Sequence, residues 1–348
     1  MGDASPSPGT ADDQANALVQ PVVEGLKALI RHEIPSARDI RLEGLTRSAG
    51  GLSRENWSLD ASWTDAAGQH SHPLMLMRDA AGTLLATERP CEFAILKALE
   101  GSGVPAPIAH WMDPDGRFLG APSVVMERMP GACDYMIVNG TRPLPERLQL
   151  AHGFLDLLVN IHAVDWRARG LGDQLGVPEG SPALAELSHW EAEYRRVQLE
   201  PHPEFDYILI WLRDHAPEAE VIVLVHGDFK PGNALVEGQR ITAKLDWETA
   251  HLGDPLEDLG WITNPVRRRE HQIAGHWERE QIIAAYRQET GRAVREADLD
   301  WWNIFSCWKL AVIQLTAVSE FAAGRYDRVF HTPSWLIRPM LQMMGGTR

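Results

Sequence analysis

Apolar positions along the first third of the chain switch between two periods. Leu18, Val22, Leu26 and Leu29 recur at helical spacing from about Ala15 to Ile34, and Pro21 predicts a start in the helix's first turn. Residues 1–14, mostly Ser, Pro, Gly, Ala and Asp, read as a disordered tail. The period then shortens: Ile40, Leu42 and Leu45 suggest one strand, and Trp57 to Trp63 alternates like a half-buried one. Leu74-Met75-Leu76-Met77 is a third, ending in Arg78. Phe93, Ile95, Leu96 and Leu99 share one face of a predicted helix over 88–99, closed by Gly101-Ser102-Gly103. Strands follow at 108–111 and 123–127. Beyond Gly131 the pattern becomes helical, over 145–164, 188–197, 205–215 and much of 272–344. It is interrupted by the continuous apolar strand Val221 to Val225 and by a hairpin over 234–245. The pattern predicts an α+β protein in two parts, 15–129 rich in strands and 130–348 rich in helices.

Composition narrows the classes. With 348 residues, 44% of them hydrophobic, the chain can bury one large core or two modest ones. A net charge of −15 argues against a general nucleic-acid binder. Cys91, Cys133 and Cys307 are too few and too scattered for a disulfide framework or a zinc pattern. No run reaches the roughly 18 apolar residues of a membrane span, and no secretory signal is visible. Met1-Gly2 lacks the Ser or Thr of a myristoylation motif, because Pro6 holds that position. A cytoplasmic protein, monomer or homodimer, without membrane or nucleic-acid partners, is the expectation.

The chemistry concentrates in Val225-His226-Gly227-Asp228-Phe229-Lys230-Pro231-Gly232-Asn233 and in Leu245-Asp246-Trp247-Glu248. His-Gly-Asp alone is a tight turn after a buried strand. An Asn and a second Asp further on, brought back by a short hairpin, add hard oxygen ligands of the kind magnesium takes. A further Asp can accept a proton from an attacking hydroxyl. His-Gly-Asp-x-x-x-x-Asn followed by Leu-Asp-Trp-Glu and Gly253-Asp254-Pro255 resembles the aminoglycoside phosphotransferase family of small-molecule kinases. Within it, the branch that includes the kinase domain fused to some acyl-CoA dehydrogenases is the most similar. Gly227 stands where protein kinases carry the Arg of His-Arg-Asp, and Trp247-Glu248 replace Phe-Gly.

The resemblance implies a two-lobed protein-kinase-like fold, a small antiparallel-sheet lobe and a larger, mainly helical one. It implies transfer of the ATP γ-phosphate to a hydroxyl of a small molecule, with Asp228 catalytic and Asn233 and Asp246 holding Mg2+. Gly50, Gly51 and Ser53, otherwise an ordinary hairpin turn, become a phosphate-binding loop. Arg78 becomes the third-strand cation that grips phosphates, and Glu92, with Glu88 as competitor, its helix partner. Backbone groups of Glu127 and Met129 fall at the adenine-binding crossover. Asp254 and Asp258 would brace loops. His162 reads as a core histidine, Arg267-Arg268-Arg269 as a solvated run, the aromatic helices over 188–197 and 205–215 as pocket walls or plain packing, and the Trp-rich stretch over 272–344 as part of an acceptor site, as the resemblance implies. A catalytically silent nucleotide-binding regulatory module and a metal-dependent hydrolase using His226 are the competing readings.

Overall fold

The computed structural model describes residues 11–48, 54–79, 89–326 and 331–346. Two compact units divide them. The first holds the described residues up to 79 and residues 108–128; the second holds 89–107 and the described residues from 129 onward. The helical segment 89–99 thus groups with the second unit, so the division is not a single boundary near residue 129.

In the first unit, helix α1 (Ala11–Glu33) precedes strands β1 (Arg38–Arg47), β2 (Arg54–Asp65), β3 (Gly68–Asp79), β4 (Ala109–Asp113) and β5 (Ser123–Glu127). The sheet is antiparallel in the order β1-β2-β3-β5-β4. Helix α1 begins at Ala11 and carries Pro21 inside it, so neither the predicted start at Pro21 nor a tail reaching residue 14 holds. Proline removes one amide donor from the ladder, and this helix continues past the gap. Its Val22, Leu26, Leu29 and Ile30 bury against the sheet face carrying Trp57, Leu59, Ala61, Trp63, Leu74 and Leu76. Alternate strand residues meet one helical stripe, as the two periods require.

The second unit contains α2 (Arg89–Leu99), α3 (Leu144–His162), α4 (Leu171–Leu175), α5 (Pro182–Val197), α6 (Pro203–Asp214), α7 (Leu256–Thr263), α8 (Arg268–His271), α9 (Arg279–Thr290), α10 (Glu296–Ala322) and α11 (Ile337–Gly346). Two small sheets are set among these helices. Strand β6 (Val223–Val225) pairs antiparallel with β9 (His251–Gly253), and β7 (Ala234–Glu237) forms a hairpin with β8 (Arg240–Lys244). Among the described residues, α10 alone is long and apolar enough to cross a membrane. Its burial accounts for that composition: Trp301, Trp302, Phe305 and Trp308 are all enclosed. These tryptophans form core, not the acceptor-site wall expected of them.

Candidate functional site

The loop at the end of β6 is built around a glycine and a buried carboxylate. Gly227 has φ +77°, and a Cβ there would lie 2.6 Å from the Thr249 carbonyl oxygen. Both facts exclude an arginine at this position. Asp258, in the first turn of α7, accepts from the amides of His226 (2.8 Å) and Gly227 (2.9 Å) and lies 3.2 Å from the His162 ring. Burial would raise its pKa, but the His162 hydrogen bond, neighbouring charges and the His226 amide hold it down at about 2. Asp254 accepts from the Leu256 amide and from the Trp302 indole, which fixes the entry to α7. Both aspartates brace loops, and His162 is a satisfied core histidine shared between Asp258 and the Tyr286 hydroxyl.

His226 is fully buried, which pushes its pKa down to about 3; the nearby Lys244 adds to the effect. Its neutral ring has one consistent tautomer: Nδ1 accepts from the Asp228 amide (3.2 Å), so Nε2–H donates to the Leu245 carbonyl (3.0 Å). With both nitrogens engaged, His226 has no lone pair for a metal, and the hydrolase reading loses its ligand.

Asp228 projects from this loop. Asn233 Nδ2 donates to its carboxylate (2.9 Å) and carbonyl (3.2 Å), and Lys230 makes a short ion pair with the same carboxylate oxygen. Burial works to raise the Asp228 pKa. The charges of Lys230, Arg267 and Lys244 outweigh it and hold the carboxyl well below the usual range. The hairpin then returns as expected: the Leu245 amide donates to the Asn233 carbonyl (2.8 Å), so Asn233 and Asp246 stand at one end of β7–β8. Asp246 has φ +64°, a left-handed conformation rare outside glycine. Since Asn233 commits its nitrogen to Asp228, its oxygen is the atom it would offer a cation. An amide oxygen and a carboxylate suit Mg2+, which keeps much of its shell as water and phosphate oxygen.

Four cations escaped sequence reasoning or were misjudged by it. Lys230 was legible as a neighbour but not as the partner of Asp228. Lys244 is fully buried, donates to the carbonyls of Lys230 (3.4 Å) and Asn233 (3.2 Å), and lies over the Phe229 ring. Burial pulls its pKa down to about 7 against the pull of Asp228 and Asp246. Arg267 is no solvated residue: it is buried, stacked on Trp261 at 4.2 Å and paired with Glu270, whereas Arg268 and Arg269 are exposed. Lys309, from the middle of α10, donates to the Gly227 carbonyl (3.0 Å) and to Glu257 (2.9 Å).

The other predicted residues lie elsewhere. Gly50, Gly51, Ser53 and Glu88 fall outside the described residues. In the first unit, Arg78 sits directly across the β2–β3 ladder from Glu55, pairs with it at 2.9 Å and donates to the Leu119 carbonyl at 2.8 Å. In the second, Glu92 is buried on α2 and accepts from Arg89 at 2.7 Å. Each of these ion-pair partners stands one strand across or one turn away. Glu127 ends β5 opposite Leu74, its amide donating to the Ile108 carbonyl. Just beyond Met129, the Pro130 carbonyl accepts from Thr242, and Ala132 bridges to Val236.

Among the described residues, the second unit has two sizeable cavities. One, of about 530 Å³, is lined by Glu92, Glu186, His189, Trp190, Trp247 and His251, among others. The other, of about 860 Å³, has Arg268, Arg269, Arg279, Asp300 and Asn303 among its walls.

A strand-loop-hairpin that holds Asp, Asn and Asp in this order defines a kinase-like phosphotransferase fold, and comparison with known proteins agrees. A profile of the phosphotransferase enzyme family matches residues 44–298, and the chain belongs to that family. Acyl-CoA dehydrogenase family member 10 of Mus musculus is 33% identical over 195 residues, covering 54% of this chain and 18% of that protein. Family member 11 of Rattus norvegicus is 28% identical over 274 residues, covering 74% of this chain and 34% of that protein. The chain therefore spans about a third or less of the length of these relatives. Among solved structures, a protein of Ralstonia eutropha JMP134 described provisionally as an aminoglycoside phosphotransferase superposes with a TM-score of 0.71 at 23% identity, over 93% of this chain and 97% of that one. The macrolide 2'-phosphotransferase MphH of Brachybacterium faecium gives 0.54 at 23% identity, over 86% and 92%. At these identities the superpositions speak for the fold, which is the α+β fold of the aminoglycoside phosphotransferases.

Proposed function

We propose that this protein transfers the γ-phosphate of ATP to a hydroxyl group of a small molecule. The observation that carries the reading is Asp228, a carboxylate kept ionised by Lys230 and Arg267 and held by Asn233 on a loop that Asp258 fixes from beneath. A carboxylate so acidic is a weak base in the ground state. It orients the acceptor hydroxyl and takes its proton as the O–P bond forms, which suits a loose transition state in which positioning supplies most of the catalysis. Asn233 and Asp246 would hold Mg2+, which when bound neutralises charge on the phosphate oxygens. Arg78, with its guanidinium aligned by Glu55 and the Leu119 carbonyl, is the proposed phosphate contact of the first unit. Backbone groups at Glu127 and Met129 are the proposed adenine contacts.

Similar folds carry ligands that bear on this reading. An aminoglycoside phosphotransferase, APH(4)-Ia, was crystallised as a ternary complex with ADP and hygromycin B and superposes with a TM-score of 0.58 at 14% identity. That supports a nucleotide and a small acceptor without naming the acceptor, since fold does not fix substrate. The test is an ATP-consumption screen over sugars, amino-alcohols and antibiotics, with Asp228→Asn as control. Turnover should appear with at least one acceptor and fall by roughly 10²–10⁴ in the variant. Wild-type turnover in Asp228→Asn would remove the assignment, and Mg·ATP binding with no turnover on any acceptor would favour a silent regulatory module.

A further inference from the structure

Behind the catalytic loop lies a second group of ligand atoms, which phosphoryl transfer does not use. Glu186 of α5, His251 of β9 and Glu257 of α7 each bring one ligand atom within 4.8 Å of the others. His251 Nε2 stands 3.1 Å from Glu257 Oε2 and 3.6 Å from Glu186 Oε2. A tetrahedral cation with bonds near 2.1 Å has ligand–ligand edges of ~3.4 Å, between these two values.

The directions of the atoms matter more than their spacing. His251 Nε2 and Glu257 Oε2 are buried, and neither has a hydrogen-bond partner among the described residues, although they lie 3.1 Å apart. Glu257 is only 2% exposed. Such a pair, close but not aimed at each other, is what two ligands of a shared third atom look like. Each other polar atom of the group is already tied. His251 Nδ1 is 3.0 Å from the Thr249 carbonyl, to which it donates as Nδ1–H; in the neutral ring the lone pair is then on Nε2, although against the effect of burial Glu186 and Glu257 raise the pKa to about 10. Glu257 Oε1 accepts from Lys309 at 2.9 Å. Glu186 Oε1 accepts from the Trp190 indole at 2.7 Å and lies 3.5 Å from Lys309. The Oε2 atoms are therefore turned towards Nε2. Gly253 keeps that edge of the ring open, because a Cβ there would come within 2.8 Å of Nε2.

We propose that Glu186, His251 and Glu257 form a binding site for one divalent first-row transition cation, Zn2+ fitting best, with its open coordination position towards the 530 Å³ cavity that Glu186 and His251 line. An imidazole nitrogen with two carboxylates suits Zn2+ and its neighbours in the series and not Mg2+, which demands oxygen. Two carboxylates against one lysine leave one negative charge, so the pocket calls for a further cation. The competing occupant is a proton on Nε2, which would make His251 an imidazolium between the two glutamates. A bound metal would join α5, β9 and α7 at one point, one residue removed from the loop through Lys309 and the Gly227 carbonyl.

The test reads metal uptake and does not depend on turnover, so it stands or falls separately from the kinase reading. The full chain carrying Asp246→Asn, which removes a ligand of the proposed Mg2+ site, is stripped with chelator. It is then titrated with Zn2+ by calorimetry and with Co2+ by visible absorption. The expected result is one equivalent of each, with the d–d bands of a low-symmetry nitrogen–oxygen site. Affinity should fall at least ~100-fold in His251→Gln and in Glu257→Gln, as loss of a metal ligand requires. No uptake, or uptake untouched by both substitutions, overturns the site. Should those variants fail to fold, ¹⁵N NMR of the parent decides instead: Zn2+ must shift the His251 Nε2 resonance to that of a metal ligand. An Nε2 that stays protonated at saturating Zn2+ leaves the imidazolium reading in its place.

Discussion

Replacing Asp258 with Asn tests the architecture beneath the catalytic loop. The substitution keeps shape and removes one charge and one acceptor. In the wild type the two carboxylate oxygens accept from the amides of His226 and Gly227 and from the His162 ring, all buried. Burial acts against the charge, but the His162 hydrogen bond and the amides prevail, taking the pKa from an ordinary 3.8 to about 2. A carboxylate pKa lowered by folding adds stability that is present above the unfolded-state value and lost as pH falls through the folded-state value. The shift corresponds to about 2 kcal/mol at pH 7, of which about half remains at pH 3. In the variant, the amide NH2 must also face a backbone N–H, whichever way it is flipped, leaving a donor unsatisfied at a further cost of about 1–3 kcal/mol. Asp258→Asn should therefore lose about 3–5 kcal/mol at pH 7 by urea denaturation followed through tryptophan fluorescence. The gap should narrow on acidification, as the wild type loses its charge contribution. A variant within about 0.5 kcal/mol of wild type at pH 7, or a gap that stays constant down to pH 3, would refute this account of the brace.

Further perturbations separate geometry from charge. Gly227→Ala places a Cβ 2.6 Å from the Thr249 carbonyl oxygen at a φ of +77°; thermal melts should show destabilisation of about 1–3 kcal/mol, with activity lost. Lys230→Met removes a leading cause of the depressed Asp228 pKa. The acid limb of kcat/KM should therefore move to higher pH, and an unmoved limb would mean that Lys230 does not tune Asp228.

Much of the fold could be read from sequence because its signals are local. Trp57, Leu59, Ala61 and Trp63 announce a half-buried strand by alternation alone, and the Ser123–Glu127 strand has its predicted bounds. The grouping of Asp228, Asn233 and Asp246 was legible for a similar reason: they lie within one strand-loop-hairpin, where spacing in the chain nearly dictates spacing in the fold. What failed depended on partners far away in sequence. Arg267 looked like part of a solvated triplet, yet the turn leading into α8 lays it over Trp261. The ion pair of Arg78 was equally unannounced, since nothing local shows that Glu55 stands opposite it. Lys309 reads as a lone charge in an apolar helix, and its target is a carbonyl 82 residues earlier.

That long reach of Lys309 has a consequence for how the protein is made. As the chain emerges from the ribosome, the His226–Asn233 loop and its hairpin exist before Asp258, and both exist well before α10. Until Lys309 is seated, the Gly227 carbonyl lacks the ammonium that holds it in the finished molecule. The longest helix among the described residues is thus also the one that clamps the His226–Asn233 loop. A nascent chain stalled before residue 309 would display its whole reaction motif without the clamp behind it, so competence for chemistry would be among the last properties this unit acquires.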